Sequence, residues 1–274
     1  FHEVPLITDK NYLSLIREIC IQENIKIIIP LIDNELDLFS KNIAFFHESD
    51  IFPIVSSNKA NLIFSSKEKT YEYFKENKIP CPNTYQTNEA FKLKESSYPL
   101  IIKPIFGSSS SGVNKLINKK DLEYFSKIQP NSIIQEFIEG DEFTIDVFFD
   151  LKGKLKCVVP RKRIETRSGE VSKSVTIKEN FLIEEVYRLF NKDKFFFGCI
   201  TIQCIKENSK SFKFIEINPR FGGGYPLTYK AGANFPLWIL QEVFNSESDA
   251  TQDCWQDNLL MLRYDEEIFK KLNV

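Results

Sequence analysis

Two prolines in Ile79-Pro80-Cys81-Pro82 divide the chain into stretches of different rhythm. Proline fixes φ and lacks a backbone N–H, so neither a helix nor a central strand runs through this segment. Upstream of it, helix and strand signals alternate. Thr8-Asp9 followed by Tyr12, Leu15, Ile16 and Ile19 reads as a capped amphipathic helix. Residues 25–31 form an apolar, β-rich run of the kind buried on both faces of a parallel sheet. A second helix is expected over 34–48, a short strand over 52–56 and a third helix over 67–77. The alternation is that of a doubly wound α/β layer. Two strands are too few for an independent sheet, so this opening reads as incomplete, with one or two strands expected upstream. The chain also starts at Phe1 rather than Met, as a fragment or a processed form would.

Downstream, strands are expected over 99–104, 112–117, 132–138, 142–151 and 155–161, the last two joined as a hairpin by Lys152-Gly153-Lys154. A helix over 179–191, strands over 199–206 and 212–218, a helix over 236–244 and a late strand over 259–263 complete the pattern. This part is α+β, with mainly antiparallel strands.

Composition removes several function classes. With Lys+Arg 36 against Asp+Glu 38, the net charge of −2 argues against a general nucleic-acid binder. No stretch approaches the roughly 18 apolar residues of a membrane span, and residues 25–32 are broken by Lys26 and Pro30. No signal peptide is visible, and six cysteines without a C-x-x-C pair suit reduced thiols, so a cytoplasmic setting is expected. The only histidines are His2 and His47, which leaves little room for a His-rich zinc site or a Ser-His-Asp triad.

Three segments carry chemistry. Lys103-Pro104 ends a strand and leads into Gly107-Ser108-Ser109-Ser110-Ser111-Gly112. A lysine beside a loop of glycines and small hydroxyl residues suits a polyphosphate, because backbone N–H groups can approach the anion while the ammonium neutralises it. It is not a Walker A loop, and a flexible surface hairpin accounts for it equally well. In Gln135-Glu136-Phe137-Ile138-Glu139-Gly140-Asp141-Glu142 an apolar strand ends in acidic residues and turns back. Such a crossover can offer backbone amides to an adenine edge and a carboxylate to a ribose; taken alone, an ordinary acidic turn is the simpler reading. The third segment pairs Gln203 with Glu216-Ile217-Asn218-Pro219-Arg220. Strand alternation puts Glu216 and Asn218 on one face, and antiparallel pairing of 199–206 with 212–218 brings Gln203 beside them. One carboxylate and two amide oxygens form a hard donor set suited to Mg²⁺ shared with phosphate. Arg220 follows, placed to hold a phosphoryl oxygen. A polar strand end explains the following glycines, Gly222-Gly223-Gly224, but not the convergence of these groups.

In order along the chain, these segments resemble the ATP-grasp superfamily, and within it the carbamoyl-phosphate-synthase large-subunit type. The resemblance also takes in Lys67, before Ile79-Pro80-Cys81-Pro82. It implies an ATP-grasp fold, two α+β lobes with ATP between them, over 67–274. A partial Rossmann-like pre-ATP-grasp layer over 1–66 would precede it. It further implies that Lys67 and Lys103 contact ATP phosphates and that the loop with Gly107, Ser108, Ser109, Ser110 and Gly112 closes over them. Glu136 and the backbone of Phe137 and Ile138 would hold adenine, Glu142 the ribose, and Gln203, Glu216 and Asn218 one or two Mg²⁺, or Mn²⁺ in their place. Arg220 would steady the transferred phosphoryl group, and Arg161 and Arg163 would meet an anionic substrate or acyl phosphate; a solvated basic loop is the competing reading for that pair.

The chemistry implied is ATP-dependent joining of a small-molecule carboxylate to an amine through an acyl phosphate, with neither nucleic acid nor membrane as partner. A homodimer is compatible with it. Carbamoyl phosphate synthesis itself is disfavoured, since such synthases use two ATP-grasp units and this chain holds one. Two alternatives stay open at this stage: a nucleotide-binding subunit or pseudoenzyme, and a kinase that stops at the phosphorylated product.

Overall fold

The computed structural model describes residues 2–107, 111–167, 169–192, 194–208, 210–245 and 247–271. Three sheets follow one another along the chain. The first pairs β1 (Ile27–Ile28) in parallel with β2 (Phe52–Pro53). Both strands are shorter than the sequence suggests: Pro30 follows the first, and Pro53, which has no N–H to give, ends the second. Helices Tyr12–Gln22, Asp33–Lys41 and Ile43–His47 enclose a small core that includes Phe39, Phe46 and Ile51. The expected helix over 34–48 is thus two helices. They break at Asn42, whose side-chain amide donates to the Leu38 carbonyl.

The second sheet has the order β3-β6-β4-β5 and is antiparallel throughout. Its strands are β3 (Thr84–Tyr85), β4 (Leu100–Pro104), β5 (Asn114–Leu116) and β6 (Ser132–Glu136). Helix Lys119–Ile128, which the sequence reading omits, starts at Asn118, whose side chain accepts from the N–H groups of Lys120 and Asp121. Its Leu122 packs with Leu100, Ile102, Leu116 and Ile134 of the sheet.

The third sheet is the largest, in the order β11-β10-β7-β8-β9-β12. Its strands are β7 (Asp141–Phe149), β8 (Leu155–Arg167), β9 (Glu170–Thr176), β10 (Gly198–Asn208), β11 (Ser211–Asn218) and β12 (Leu260–Leu262). β7 and β8 form the expected hairpin, but β8 continues to Arg167 and pairs with β9, in a stretch where no strand is expected. β9 escapes notice because Val171 is its only buried aliphatic and the other buried positions are Ser172, Ser174 and Thr176. Their hydroxyls donate to the carbonyls of Glu165, Lys162 and Gln256, which makes that burial tolerable. One face packs Phe143, Ile145, Ile200 and Ile202 with helix Asn180–Phe190 into the main core. The opposite face, toward the β10–β11 edge, stays polar and looks at the second sheet.

Candidate active site

A β-bulge sets the polar face. β10 and β11 pair Gln203 with Glu216 and Thr201 with Asn218, but Cys204 pairs with Phe214, so Ile215 is an extra residue. Without it, Phe212, Phe214, Glu216 and Asn218 would share one face. The bulge resets the alternation: Phe212, Phe214 and Ile217 enter the core while Glu216 and Asn218 stay half-buried on the other side. The row continues across the sheet, since Gln203 also pairs with Thr144, and Thr144 with Arg161.

Facing this row is a cavity of about 280 Å³ between the sheets. The second sheet and its approaches contribute Lys67, Lys103, Gly107, Glu136, Phe137 and Ile138, and the third contributes Glu142, Gln203 and Glu216. Most of the sequence-derived site residues therefore meet in one space. Ser108, Ser109 and Ser110 lie outside the described residues. Gly112 does not line the cavity; it is close-packed on Pro104, where an added Cβ would lie 2.9 Å from the ring at a backbone φ of +73°.

Lys103 is 8% exposed. Burial pulls its pKa down to about 8; the Glu216 carboxylate opposes the shift and the Lys67 ammonium adds to it. Lys67 donates to the Gly107 carbonyl at 2.5 Å, tying the loop entrance to helix Lys67–Glu76. The Glu136 carboxylate is committed to Asn83, accepting from its backbone N–H at 3.2 Å and its side-chain amide at 3.0 Å. It therefore fixes the approach to β3, while the backbone of Phe137 and Ile138 borders the cavity.

A second, smaller cavity of about 80 Å³ adjoins the row and is lined by Arg161, Arg163, Arg220 and the glycine strap 222–224. Arg161 is not on a solvated loop: it is 1% exposed and holds Asp146 by two hydrogen bonds of 2.8 and 3.0 Å. Asp146 also accepts from the Thr228 hydroxyl. The remaining Nη1 of Arg161 is buried without a hydrogen-bond partner among the described residues. Arg163 donates to the Gly169 carbonyl and lies 3.3 Å from the Glu142 carboxylate, so two expected site residues touch each other. Arg220 is engaged by Asp33, through Nε at 2.5 Å and Nη2 at 2.8 Å. Asp33 is a site neighbour that sequence reasoning misses; an acid at a helix start carries no sign of an arginine far along the chain.

The donor row is oxygen-only and carries one negative charge, and it faces a buried ammonium. This chemistry fits a magnesium–polyphosphate, which completes a cation's coordination and satisfies the lysine together. Residues 64–224 match the family model described as ATP-grasp domain, which is more than half of the chain. The chain belongs to the ATP-grasp family. Residues 1–55 match a second model, the PylC-like N-terminal domain. Among curated relatives of this ATP-grasp protein is the 3-methyl-D-ornithine–L-lysine ligase of Methanosarcina barkeri, 24% identical over 73% of this chain and 51% of the relative. Another is a carbamoyl-phosphate synthase of Methanobrevibacter smithii, 27% identical over 48% of this chain and 37% of the relative. The chain spans about half the length of the curated relatives it matches. Among solved structures, the biotin carboxylase domain of a Hydrogenobacter thermophilus 2-oxoglutarate carboxylase, in complex with MgADP and bicarbonate, superposes with a TM-score of 0.73. That match has 16% identity and covers 91% of this chain and 60% of the other, which establishes the shared fold. No helix among the described residues is long and apolar enough to cross a membrane.

Proposed function

We propose that this chain carries the catalytic unit of an ATP- and Mg²⁺-dependent ligase that activates a carboxylate as an acyl phosphate and joins it to an amine, giving ADP and phosphate. One observation carries the reading: a buried lysine faces an oxygen-donor row across a single cavity built from two sheets. Lys67 and Lys103 hold the nucleotide phosphates beside Gly107, and the backbone of Phe137 and Ile138 meets the adenine, with Glu136 holding that segment in place. Glu142 serves the ribose. Gln203, Glu216 and Asn218 would hold the Mg²⁺, which when bound offsets the charge that spreads over the phosphoryl oxygens. Arg163, Arg220 and the free Nη1 of Arg161 form a cationic wall for the carboxylate and the transferred phosphoryl group. No side-chain nucleophile is needed, because the carboxylate itself attacks the phosphoryl group.

Residues 1–66 form the pre-ATP-grasp layer in this reading, and 67–274 the ATP-grasp unit, with Asp33 reaching from the first to the site in the second. A relative named for ligating 3-methyl-D-ornithine to L-lysine supports amino-acid-like acid and amine substrates. A cytoplasmic setting and a homodimer belong to the same reading. The test is a screen of acids against amines for ADP release. ADP that appears with a particular acid and is accelerated by a particular amine supports the ligase. Release indifferent to every amine would favour a kinase, and none at all a nucleotide-binding module.

A further inference from the structure

The ligase reading leaves the amine without a place, and an open cleft of about 810 Å³ adjoins the arginine-lined cavity. It lies between the opening layer and the glycine strap, with Ile29, Leu31, Phe221 and Pro236 among its walls. The two spaces share Glu170, Arg220, Gly222 and Gly223. Three acidic side chains border them. Asp33 is committed to Arg220 through both oxygens. Glu216 stands in the donor row opposite Gln203. Glu170 has neither a hydrogen bond nor an ion pair on its carboxylate among the described residues, and it is exposed at the junction of the two spaces.

The strap sets where these groups stand. A Cβ on Gly223 would lie 2.3 Å from Glu170 Oε2, and one on Gly224 would lie 2.3 Å from Arg161 Nη1. Two successive glycines therefore leave room at the strap for the Glu170 carboxylate, which also acts electrostatically on Arg220, and for the buried, unpartnered guanidinium nitrogen of Arg161. One suits an ammonium and the other a carboxylate, at the boundary where an activated acid and an amine have to meet.

We infer that Glu170 binds the ammonium of the amine substrate, whose apolar body occupies this cleft, and is the base that frees its lone pair. The inference rests on the ligase reading. An ammonium has no lone pair for attack, so one proton passes to the Glu170 carboxylate. The nitrogen lone pair then forms the bond to the acyl carbon. The acyl carbon–oxygen bond to phosphorus breaks, its electron pair leaves on inorganic phosphate, and the phosphate carries off the second N–H proton. The substrate class is a primary amine on an apolar body, and Glu170 is the group that distinguishes it from a neutral nucleophile.

The experiment compares the chain with Glu170→Gln, using ATP, Mg²⁺ and the proteinogenic amino acids as acids. Two acceptors are offered: the same amino acids, which are ammonium ions at neutral pH, and hydroxylamine, which is already neutral and needs no base. Amide product is read by mass spectrometry and hydroxamate by its iron colour. In Glu170→Gln amide formation should fall about 100-fold while hydroxamate formation falls less than about threefold. Equal loss of both products would overturn the assignment and give Glu170 a structural role, and loss of neither would overturn it outright. An unsubstituted chain that makes neither product would sink the ligase reading itself, which separates the two failures.

Discussion

On the second sheet, Lys103 is buried with no carboxylate of its own, and the counter-charge it feels comes from Glu216 on the sheet opposite. On the side of the third sheet each site arginine lies against an acid: Asp146 holds Arg161, Asp33 holds Arg220, and Arg163 is 3.3 Å from Glu142. The lysine side waits for an anion to complete it. The arginine side is preorganised before any anion arrives, and it costs no reorganisation when charge develops. This contrast suits a nucleotide that comes and goes beside a transition state that has to be met by fixed groups.

The arginine half of the contrast gives the largest expected effect. Asp146→Asn leaves the Arg161 guanidinium buried without its counter-charge, and removing one partner of a buried pair costs about 3–5 kcal/mol. Urea unfolding should show that loss as a lower midpoint with an unchanged slope. A loss below about 0.5 kcal/mol would mean that Arg161 is not held as described.

Asp33→Asn is the intermediate case. The pair is only partly buried and the fold keeps its core, so stability should change little. Arg220 loses its orientation, however, and turnover should drop on the order of 30-fold. The affinity for a non-hydrolysable ATP analogue should stay within about twofold, since Arg220 lines the arginine cavity rather than the nucleotide one. A parallel fall in affinity and turnover would show that Arg220 serves nucleotide binding instead.

The lysine half gives the smallest effect, seen as a pH dependence. Lys103 titrates near pH 8 in the free protein, and bound phosphate raises that value by favouring the ammonium. Binding therefore takes up a proton above pH 8, and affinity falls as pH rises; between pH 7 and pH 9 the expected loss is about tenfold. Calorimetry in buffers of different ionisation enthalpy would register the proton uptake, and Lys103→Met should flatten the profile. A flat profile in the unsubstituted chain would contradict a depressed Lys103.

Legibility in the sequence followed the range of the interactions. Alternation within β11 places Glu216 and Asn218 together, and the pairing of β10 with β11 brings Gln203 to them; both are local. The same alternation also puts Phe212 and Phe214 on that face, and only the bulge at Ile215, a property of the paired strands, separates them. Arg161 sits in Pro160-Arg161-Lys162-Arg163, a run that a solvated basic loop explains as readily as a substrate site, and its buried partner Asp146 comes from the neighbouring strand. Asp33 reaches Arg220 from 187 residues away, beyond any spacing rule. β9 stayed hidden because hydroxyl residues fill its buried positions apart from Val171. The two strands of the opening layer shrank for the opposite reason, as nearby prolines outweighed an apolar run that favours β structure.

The central claim is that the donor row and the buried lysine form one site for a magnesium–nucleotide. Calorimetric titration of a non-hydrolysable ATP analogue, with and without Mg²⁺, into the chain and into Glu216→Ala tests it without knowledge of the acid or amine. The account predicts binding on the order of micromolar that depends on Mg²⁺ and weakens at least about tenfold in the variant. Absence of binding by the folded chain, or binding indifferent to both Mg²⁺ and Glu216, would contradict it.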